Sequence, residues 1–153
     1  MNINTKTSSA ISIHPATQLG LVSLTVSSLE NQVRFYQQVL DFKLHWRDDH
    51  SAGLGVGGID LLNLIEQPNA RRYRGVTGLY HLAILVPDRR HLARAIARLF
   101  ELKIPNSPTD HILTKTTYLN DPEGNGIELY TESPEDGKWF MEDEDYYARR
   151  TDG

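Results

Sequence analysis

The sequence predicts a mixed α+β domain made of two similar units, each with the order strand, helix, strand, strand, strand. Apolar residues alternate, change to a helical spacing and alternate again, twice along the chain. Residues 20–24 (GLVSL) are echoed by residues 78–82 (GLYHL), and residues 58–61 (GIDL) by residues 126–129 (GIEL). Two such units would share a core or a cleft, although echoes this short also arise by chance.

The first unit opens with a strand at residues 19–26, where apolar and polar side chains alternate as in a half-buried strand. Ser27 and Glu30 have the spacing of a capping box, which predicts the start of a helix. One face of this helix is apolar, formed by Leu29, Val33, Tyr36 and Leu40. Asp41 ends the helix. Three short strands are then predicted, at residues 42–48, 52–56 and 59–65.

The second unit follows a connector at residues 67–77 that is rich in arginine and turn-forming residues. A strand is predicted at residues 78–86, and Asp88 caps a second amphipathic helix. A strand at residues 112–120, a dense turn signal at 121–126 and a strand at 127–131 complete the unit.

A chain of 153 residues is long enough for one domain and too short for two. We expect a flexible N-terminal arm, one domain and a C-terminal tail, at residues 1–17, 18–135 and 136–153. The two units occupy about residues 18–66 and 77–132. The tail is acidic but contains Trp139, Phe140, Tyr146 and Tyr147. It is either a solvated extension or an arm that docks its aromatic rings on the body or on a second subunit.

The composition excludes several classes of protein. The formal net charge of −4 argues against a nucleic-acid binder that works through general basic charge. The absence of cysteine excludes disulfides, thiolate zinc sites and a cysteine nucleophile. Neither a signal peptide nor an apolar run long enough to span a membrane is present, so we expect a cytoplasmic protein.

His81 and Glu128 are the first candidates for chemistry. Each is expected on a strand face opposite the apolar side chains, His81 in the strand at 78–86 and Glu128 in the strand at 127–131. In a concave sheet the two could converge and hold a divalent metal. An ordinary pair of solvent-facing polar residues is the alternative.

Tyr118 and His111 are the second candidates. Tyr118 lies one hairpin before Glu128, so its hydroxyl could reach the same pocket as an acid or hydrogen-bond donor, or only pack across the strands. His111, at the start of the strand at 112–120, could act as a base or be a turn residue. The sequence has no dinucleotide fingerprint, phosphate-binding loop or nucleophile elbow.

Longer motifs carry a family resemblance. LTVSSLE at residues 24–30 with FYQQVL at 35–40, GLYHLAILVP at 78–87 and YLNDPEGNGIELY at 118–130 together resemble the vicinal oxygen chelate superfamily. This superfamily includes glyoxalase I, extradiol ring-cleaving dioxygenases and antibiotic-resistance proteins. The likeness covers residues 18–135 and points to the amino-terminal half of catechol 2,3-dioxygenase-like proteins.

The resemblance implies two βαβββ modules that form a cupped, incompletely closed sheet around a divalent metal, with Fe(II) favoured and Mn(II) or Zn(II) possible. It implies His81 and Glu128 as metal ligands and Tyr118 beside the substrate, and our first hypothesis adds His111 there. A third ligand is unknown. Its candidate positions are Ser23, Asn63 and Asp60, and Asp60 is expected on the opposite strand face from Asn63 because the two lie three positions apart.

Three functions follow from the resemblance. The first is a metal-dependent extradiol dioxygenase that acts on a small catechol-type aromatic, with a homodimer in place of the second pair of modules found in longer relatives. The second is a non-catalytic small-molecule-binding or resistance protein, which the missing first-module histidine favours. The third is a glyoxalase- or epimerase-like enzyme with a carboxylate base, a role in which Asp60 could serve and Asn63 could not.

Overall fold

The computed structural model describes residues 20–71, 75–142 and 145–151, together with His14, Ala16 and Thr17. Most of the expected arm at residues 1–17 and part of the connector at 67–77 therefore lie outside the described residues. No helix in the described ranges is long and apolar enough to cross a membrane.

The first half of the chain forms one module around a four-stranded sheet. Its elements are β1 (Val22–Val26), α1 (Leu29–Leu40), β2 (Lys43–Arg47), β3 (Ser51–Val56) and β4 (Ile59–Glu66). The strand order is β1-β4-β3-β2, with β1 parallel to β4 and the other pairs antiparallel. The predicted βαβββ order of this half is therefore confirmed.

The second half repeats this arrangement. Its elements are β5 (Leu82–Leu85), α2 (Arg89–Glu101), β6 (Asn106–Asp110), β7 (Thr114–Asn120) and β8 (Gly126–Glu132). The strand order β5-β8-β7-β6 matches that of the first module position by position, including the one parallel pair. Two copies of one topology confirm the α+β fold that the sequence echoes predicted.

Several element boundaries differ from the prediction. β5 begins at Leu82, so His81 precedes the strand instead of lying within it. β7 begins at Thr114 because Ile112 adopts a left-handed conformation with φ of 69°, which an extended strand does not accommodate. His111 therefore lies in the turn before β7. The predicted order of the second unit requires a strand at β6, but the sequence pattern does not locate it, because its sequence NSPTD contains proline, which an edge strand tolerates.

Helix α1 begins one residue later than the capping box predicted. Ser28 is the N-cap, and its Oγ accepts a hydrogen bond from the backbone nitrogen of Asn31 at 3.4 Å. Glu30 does not reach back to the cap; its carboxylate instead pairs with Arg34 and Arg47 on the surface. At the other end Asp41 adopts φ of 56° and stops the helix, as expected.

Ser27 is held by the second module, at the turn between β7 and β8. The carboxylate of Glu123 in that turn accepts hydrogen bonds from the Ser27 backbone nitrogen at 2.8 Å and hydroxyl at 2.9 Å. It also accepts one from the Ser28 backbone nitrogen at 3.2 Å. The buried hydroxyl of Tyr36 donates to Asp121 in the same turn at 3.4 Å, and burial, followed by Asp121, raises the pKa of Tyr36. This turn thus joins the modules.

The helices complete the contact between modules. The Arg98 guanidinium of α2 donates to the backbone carbonyl oxygens of Gln38 and Val39 at the end of α1. Apolar side chains from both modules form one buried cluster, which includes Leu62 from the first and Ile127 from the second. The two modules therefore share a core.

The expected tail contains a β-hairpin, β9 (Gly137–Glu142) paired with β10 (Asp145–Arg150). Asp136, just before β9, forms ion pairs with Arg89 at 2.6 Å and Lys115 at 2.5 Å. Arg89 and then Lys115 hold the pKa of Asp136 below its usual range. Trp139 in β9 is exposed. These ion pairs thus attach the base of the hairpin to the second module.

Candidate functional site

Successive side chains of β8 point alternately to the buried core and to the open face of the sheet, where the candidate site lies. Ile127 and Leu129 are buried against the second module's core, which places Glu128 on the opposite, open face of the sheet. Tyr118 on β7 lies directly across from Glu128 in the antiparallel register. Its hydroxyl donates a hydrogen bond to Glu128 Oε1 at 2.8 Å, so the structure brings these two residues together.

His81 approaches the same carboxylate from the segment before β5. Its Nε2 lies 2.8 Å from Glu128 Oε2, and the two side chains are 26% and 14% exposed. Gly126 makes this approach possible, because a Cβ at that position would lie 2.6 Å from the Tyr80 carbonyl oxygen and 3.1 Å from the His81 Cβ. The predicted convergence of His81 and Glu128 is therefore present.

His111 joins the group from the turn before β7. Its Nε2 lies 3.1 Å from the Tyr118 hydroxyl, and the rings of His81 and His111 both contact the Tyr118 ring edge-on. Burial and the Glu128 carboxylate raise the pKa of Tyr118, so the phenol stays protonated and remains a hydrogen-bond donor. The four polar side chains thus form a continuous row from His111 to His81.

A cavity of about 440 Å³ opens beside two members of this row, His81 and Tyr118, while Glu128 and His111 are not among its lining residues. Tyr80, His81 and Tyr118 form its aromatic wall, while Asn106 and Ser107 of β6 contribute polar groups. Every lining residue belongs to the second module. A volume of this size, with aromatic surface and a few convergent polar atoms, suits a small organic molecule.

The three candidate positions for a third ligand do not line this cavity. Ser23 and Asn63 are direct neighbours on β1 and β4 of the first module. The expectation that Asp60 faces away from Asn63 is wrong. Asn63 pairs with Gly53, and the Asp60 carboxylate lies 2.8 Å from the position a Gly53 Cβ would occupy, so both residues share that face. A β-bulge that skips Leu61 reverses the alternation.

Asp60 belongs instead to a second polar cluster that sequence reasoning missed. Its Oδ1 lies 2.6 Å from His45 Nδ1 and its Oδ2 accepts a hydrogen bond from Trp46 Nε1 at 2.7 Å. The Trp46 indole and then His45 hold the pKa of Asp60 below its usual value. Gly53 leaves room for the indole, because a Cβ there would lie 2.1 Å from Trp46 Nε1. Both carboxylate oxygens are therefore already bonded.

The donor atoms beside the cavity can be compared with what a divalent metal requires. His81 and Glu128 supply one imidazole nitrogen and one carboxylate, a set that suits Fe(II), Mn(II) or Zn(II). Within the described ranges no group of three or more His, Cys, Asp or Glu side chains is placed to hold a metal. The Nδ1 atom of His81 is buried without a hydrogen-bond partner there. His81 and Glu128 thus fit two of the coordination positions of a metal site, and the remaining positions would need donor atoms from outside this pair.

Two βαβββ modules with a shared core, and a histidine–glutamate pair on the open face of the second, define a paired-module fold with a small-molecule cavity. The matching family model is the Glyoxalase/Bleomycin resistance protein/Dioxygenase superfamily, over residues 18–129. The chain belongs to this superfamily, as the sequence motifs indicated.

Among characterised proteins, a catechol-2,3-dioxygenase of Bacillus subtilis (strain 168) is 41% identical over 143 residues. The match covers 92% of this chain and 50% of that enzyme, so the chain spans about half the length of the relative.

Solved structures show the same fold. A glyoxylase/bleomycin resistance protein/dioxygenase domain from Frankia sp. EAN1pec superposes with a TM-score of 0.67 at 22% identity, covering 76% of this chain and 98% of that one. A lactoylglutathione lyase from Agrobacterium tumefaciens superposes with a TM-score of 0.63 at 19% identity, covering 77% and 96%. At these identities the likeness concerns the fold alone.

Proposed function

We propose that the chain is a divalent-metal-dependent enzyme of the extradiol dioxygenase type, acting on a small aromatic with two adjacent hydroxyl groups. The observation that carries this proposal is the hydrogen-bonded row His81, Glu128, Tyr118 and His111. Two of its members, His81 and Tyr118, line a cavity of about 440 Å³. The catechol-2,3-dioxygenase relative, 41% identical, supports this choice of reaction within the superfamily.

In this proposal His81 and Glu128 hold the metal, with Fe(II) favoured and Mn(II) or Zn(II) as alternatives. A bound divalent ion would act as a Lewis acid and a template for two neighbouring substrate oxygens. The support is chemical, since an imidazole nitrogen of His81 and a carboxylate oxygen of Glu128 lie 2.8 Å apart on the open face of the sheet. Gly126 permits the close approach on which this pair depends.

Tyr118 and His111 would handle the substrate's protons. The raised pKa of Tyr118 keeps its hydroxyl protonated, so its single O–H can turn from Glu128 to donate a hydrogen bond to a substrate oxygen. His111 lies within hydrogen-bond reach of that hydroxyl, at 3.1 Å, and a neutral imidazole there can accept a phenolic proton. The aromatic wall at Tyr80 and Tyr118 would bind the face of the substrate ring.

The remaining protein donor would come from a second copy of the chain. The relative is about twice as long as this chain, and every residue lining the cavity belongs to the second module, so the site is open to an added module. A homodimer would supply that module. Ser23, Asn63 and Asp60 stay the candidates for the donor, with water as the substitute if none of them reaches the metal.

The test is elemental analysis after anaerobic loading with Fe(II), Mn(II) or Zn(II), followed by oxygen uptake with catechol. We expect close to one metal per chain in the wild type and none in His81→Ala, with oxygen uptake only in the loaded wild type. His91→Ala is the matched control, because His91 is an exposed histidine on α2 that pairs with Asp88. Equal metal content in both variants would remove His81 from the site.

A non-catalytic binding protein is the second candidate, favoured by one observation. The described ranges offer two metal donors at the cavity where a two-histidine, one-carboxylate site needs three. This candidate predicts that catechol binds the metal-free chain, as measured by calorimetry, and that loading with Fe(II) leaves the affinity unchanged. Binding that requires metal would exclude it.

A further inference from the structure

A second cavity lies away from the His81 site, between the two modules. It measures about 610 Å³ and is bounded by the end of α1, the β3–β4 hairpin, β5 and one face of α2. Its floor is the buried pair Phe42 and Leu129, one from each module. Ligand cavities occur preferentially at such junctions and at this size.

The apolar wall of this cavity is open to solvent. Val56 and Leu85, which face it from the two modules, are 51% and 55% exposed. Exposed aliphatic side chains of this size, gathered around a concavity, favour binding of a hydrocarbon surface that removes them from water.

The polar groups of the cavity are concentrated on α2. His91, Arg94 and Arg98 recur at helical spacing along the face that lines it. Arg98 is committed to the backbone carbonyls of α1, and His91 pairs with Asp88 at 2.8 Å. Arg94 has no ion pair within the described ranges.

One carboxylate, that of Asp41, also borders the cavity, and it pairs with a lysine on the surface. Asp41 lies 3.3 Å from the ammonium of Lys43. The charge left for a ligand is therefore the guanidinium of Arg94, which presents paired donors that match a carboxylate.

We infer that this cavity binds an organic carboxylate with an apolar body, such as a medium-chain fatty acid. The hydrocarbon body would cover Val56 and Leu85, and the carboxylate would pair with Arg94 at the cavity mouth. The site is distinct from the His81 cavity, with which it shares no lining residue. It therefore does not depend on the proposed function.

The probe is octanoate, with octan-1-ol as its uncharged match, titrated into the wild-type chain and followed by backbone amide NMR. We expect octanoate to bind at least about tenfold more tightly than octan-1-ol, because a charge-assisted hydrogen bond distinguishes them. Shifted amides should lie on α2, β5 and the β3–β4 hairpin, and His81→Ala should bind octanoate as the wild type does.

Three variants separate the inference from its rivals. Arg94→Gln should weaken octanoate binding about tenfold without changing octan-1-ol binding, whereas Arg90→Gln, on the same helix but outside the cavity, should change neither. Ala95→Phe, which fills the cavity, should abolish both.

Equal effects of the two arginine variants, or equal affinity for octanoate and octan-1-ol, would overturn the inference. So would light scattering that shows a dimer in the wild type and a monomer for Ala95→Phe, since a second copy would then cover this cavity.

Discussion

The contact between Glu123 and the start of helix α1 can be tested quantitatively. The Glu123 carboxylate accepts hydrogen bonds from two backbone nitrogens and one hydroxyl of Ser27 and Ser28, at 2.8 to 3.2 Å. A hydrogen bond to a charged group contributes about 1.5–3 kcal/mol, and an anion at a helix N-terminus about 0.3–1 kcal/mol. Because the site is half-buried, water replaces part of what is lost.

We therefore expect Glu123→Ala to lower the free energy of unfolding by about 2–3 kcal/mol, and Glu123→Gln, which keeps one acceptor oxygen, by about 1 kcal/mol. For a chain of this size the larger loss corresponds to a fall of about 5–10 °C in Tm. Urea unfolding followed by circular dichroism measures the free energy of unfolding of both variants. The slope of this free energy against urea concentration should not change, since unfolding exposes the same surface area.

Glu101→Ala is the control, because Glu101 is an exposed carboxylate at the end of α2. It should change the free energy of unfolding by less than about 0.5 kcal/mol. The reasoning is refuted if Glu123→Ala is no more destabilising than this control, or if it changes the urea dependence and leaves a second transition for one module.

Three further predictions concern the site and the hairpin. Tyr118→Phe removes the hydrogen-bond donor to Glu128. We expect the affinity for catechol, measured by calorimetry, to fall about fivefold or more, while thermal melts show a Tm within a few degrees of the wild type. Gly53→Ala should destabilise the fold by about 1–3 kcal/mol and shift tryptophan fluorescence, because the new Cβ would lie 2.1 Å from Trp46 Nε1; unchanged fluorescence would contradict this. The lowered pKa of Asp136 means that its ion pairs stabilise the folded form above the usual aspartate range and are lost as the pH falls through its folded-state pKa. The protection of the hairpin amides relative to their intrinsic exchange rates should therefore fall below about pH 4 and stay constant between about pH 5 and 8.

The sequence was sufficient for the fold and for the centre of the candidate site. The period of two on β8 placed Glu128 opposite the buried face, and the short hairpin before it placed Tyr118 directly across. Both inferences use local spacing, which regular strands preserve. His81 was also placed correctly on the open side, although it lies before β5 and not inside it.

The errors arose where the alternation is interrupted. The β4 bulge at Leu61 turned Asp60 toward the face of Asn63, and a second bulge at His45 brought that residue to the same carboxylate. A bulge adds one residue to one strand, which leaves no mark on composition or hydrophobic period. The His45, Trp46 and Asp60 cluster could therefore not be read from spacing alone.

The inter-module contacts were not predicted for a different reason. Ser27 and Glu123 are 96 positions apart, and their meeting depends on how one sheet is oriented against the other. The capping box at Ser27 and Glu30 was a plausible local solution. The fold uses a carboxylate from the other module instead, and the cap moves to Ser28.

The turn between β7 and β8 also imposes an order on folding. It supplies Glu123 to the start of α1 and Asp121 to Tyr36, contacts that span 96 and 85 positions. During synthesis, the first module leaves the ribosome long before either residue exists, so its helix lacks these partners until the β7–β8 hairpin forms. Such distant contacts slow folding, because the chain entropy is lost before they are made. Glu123→Ala should accordingly speed unfolding more than it slows refolding, which places the junction of the modules late on the folding pathway.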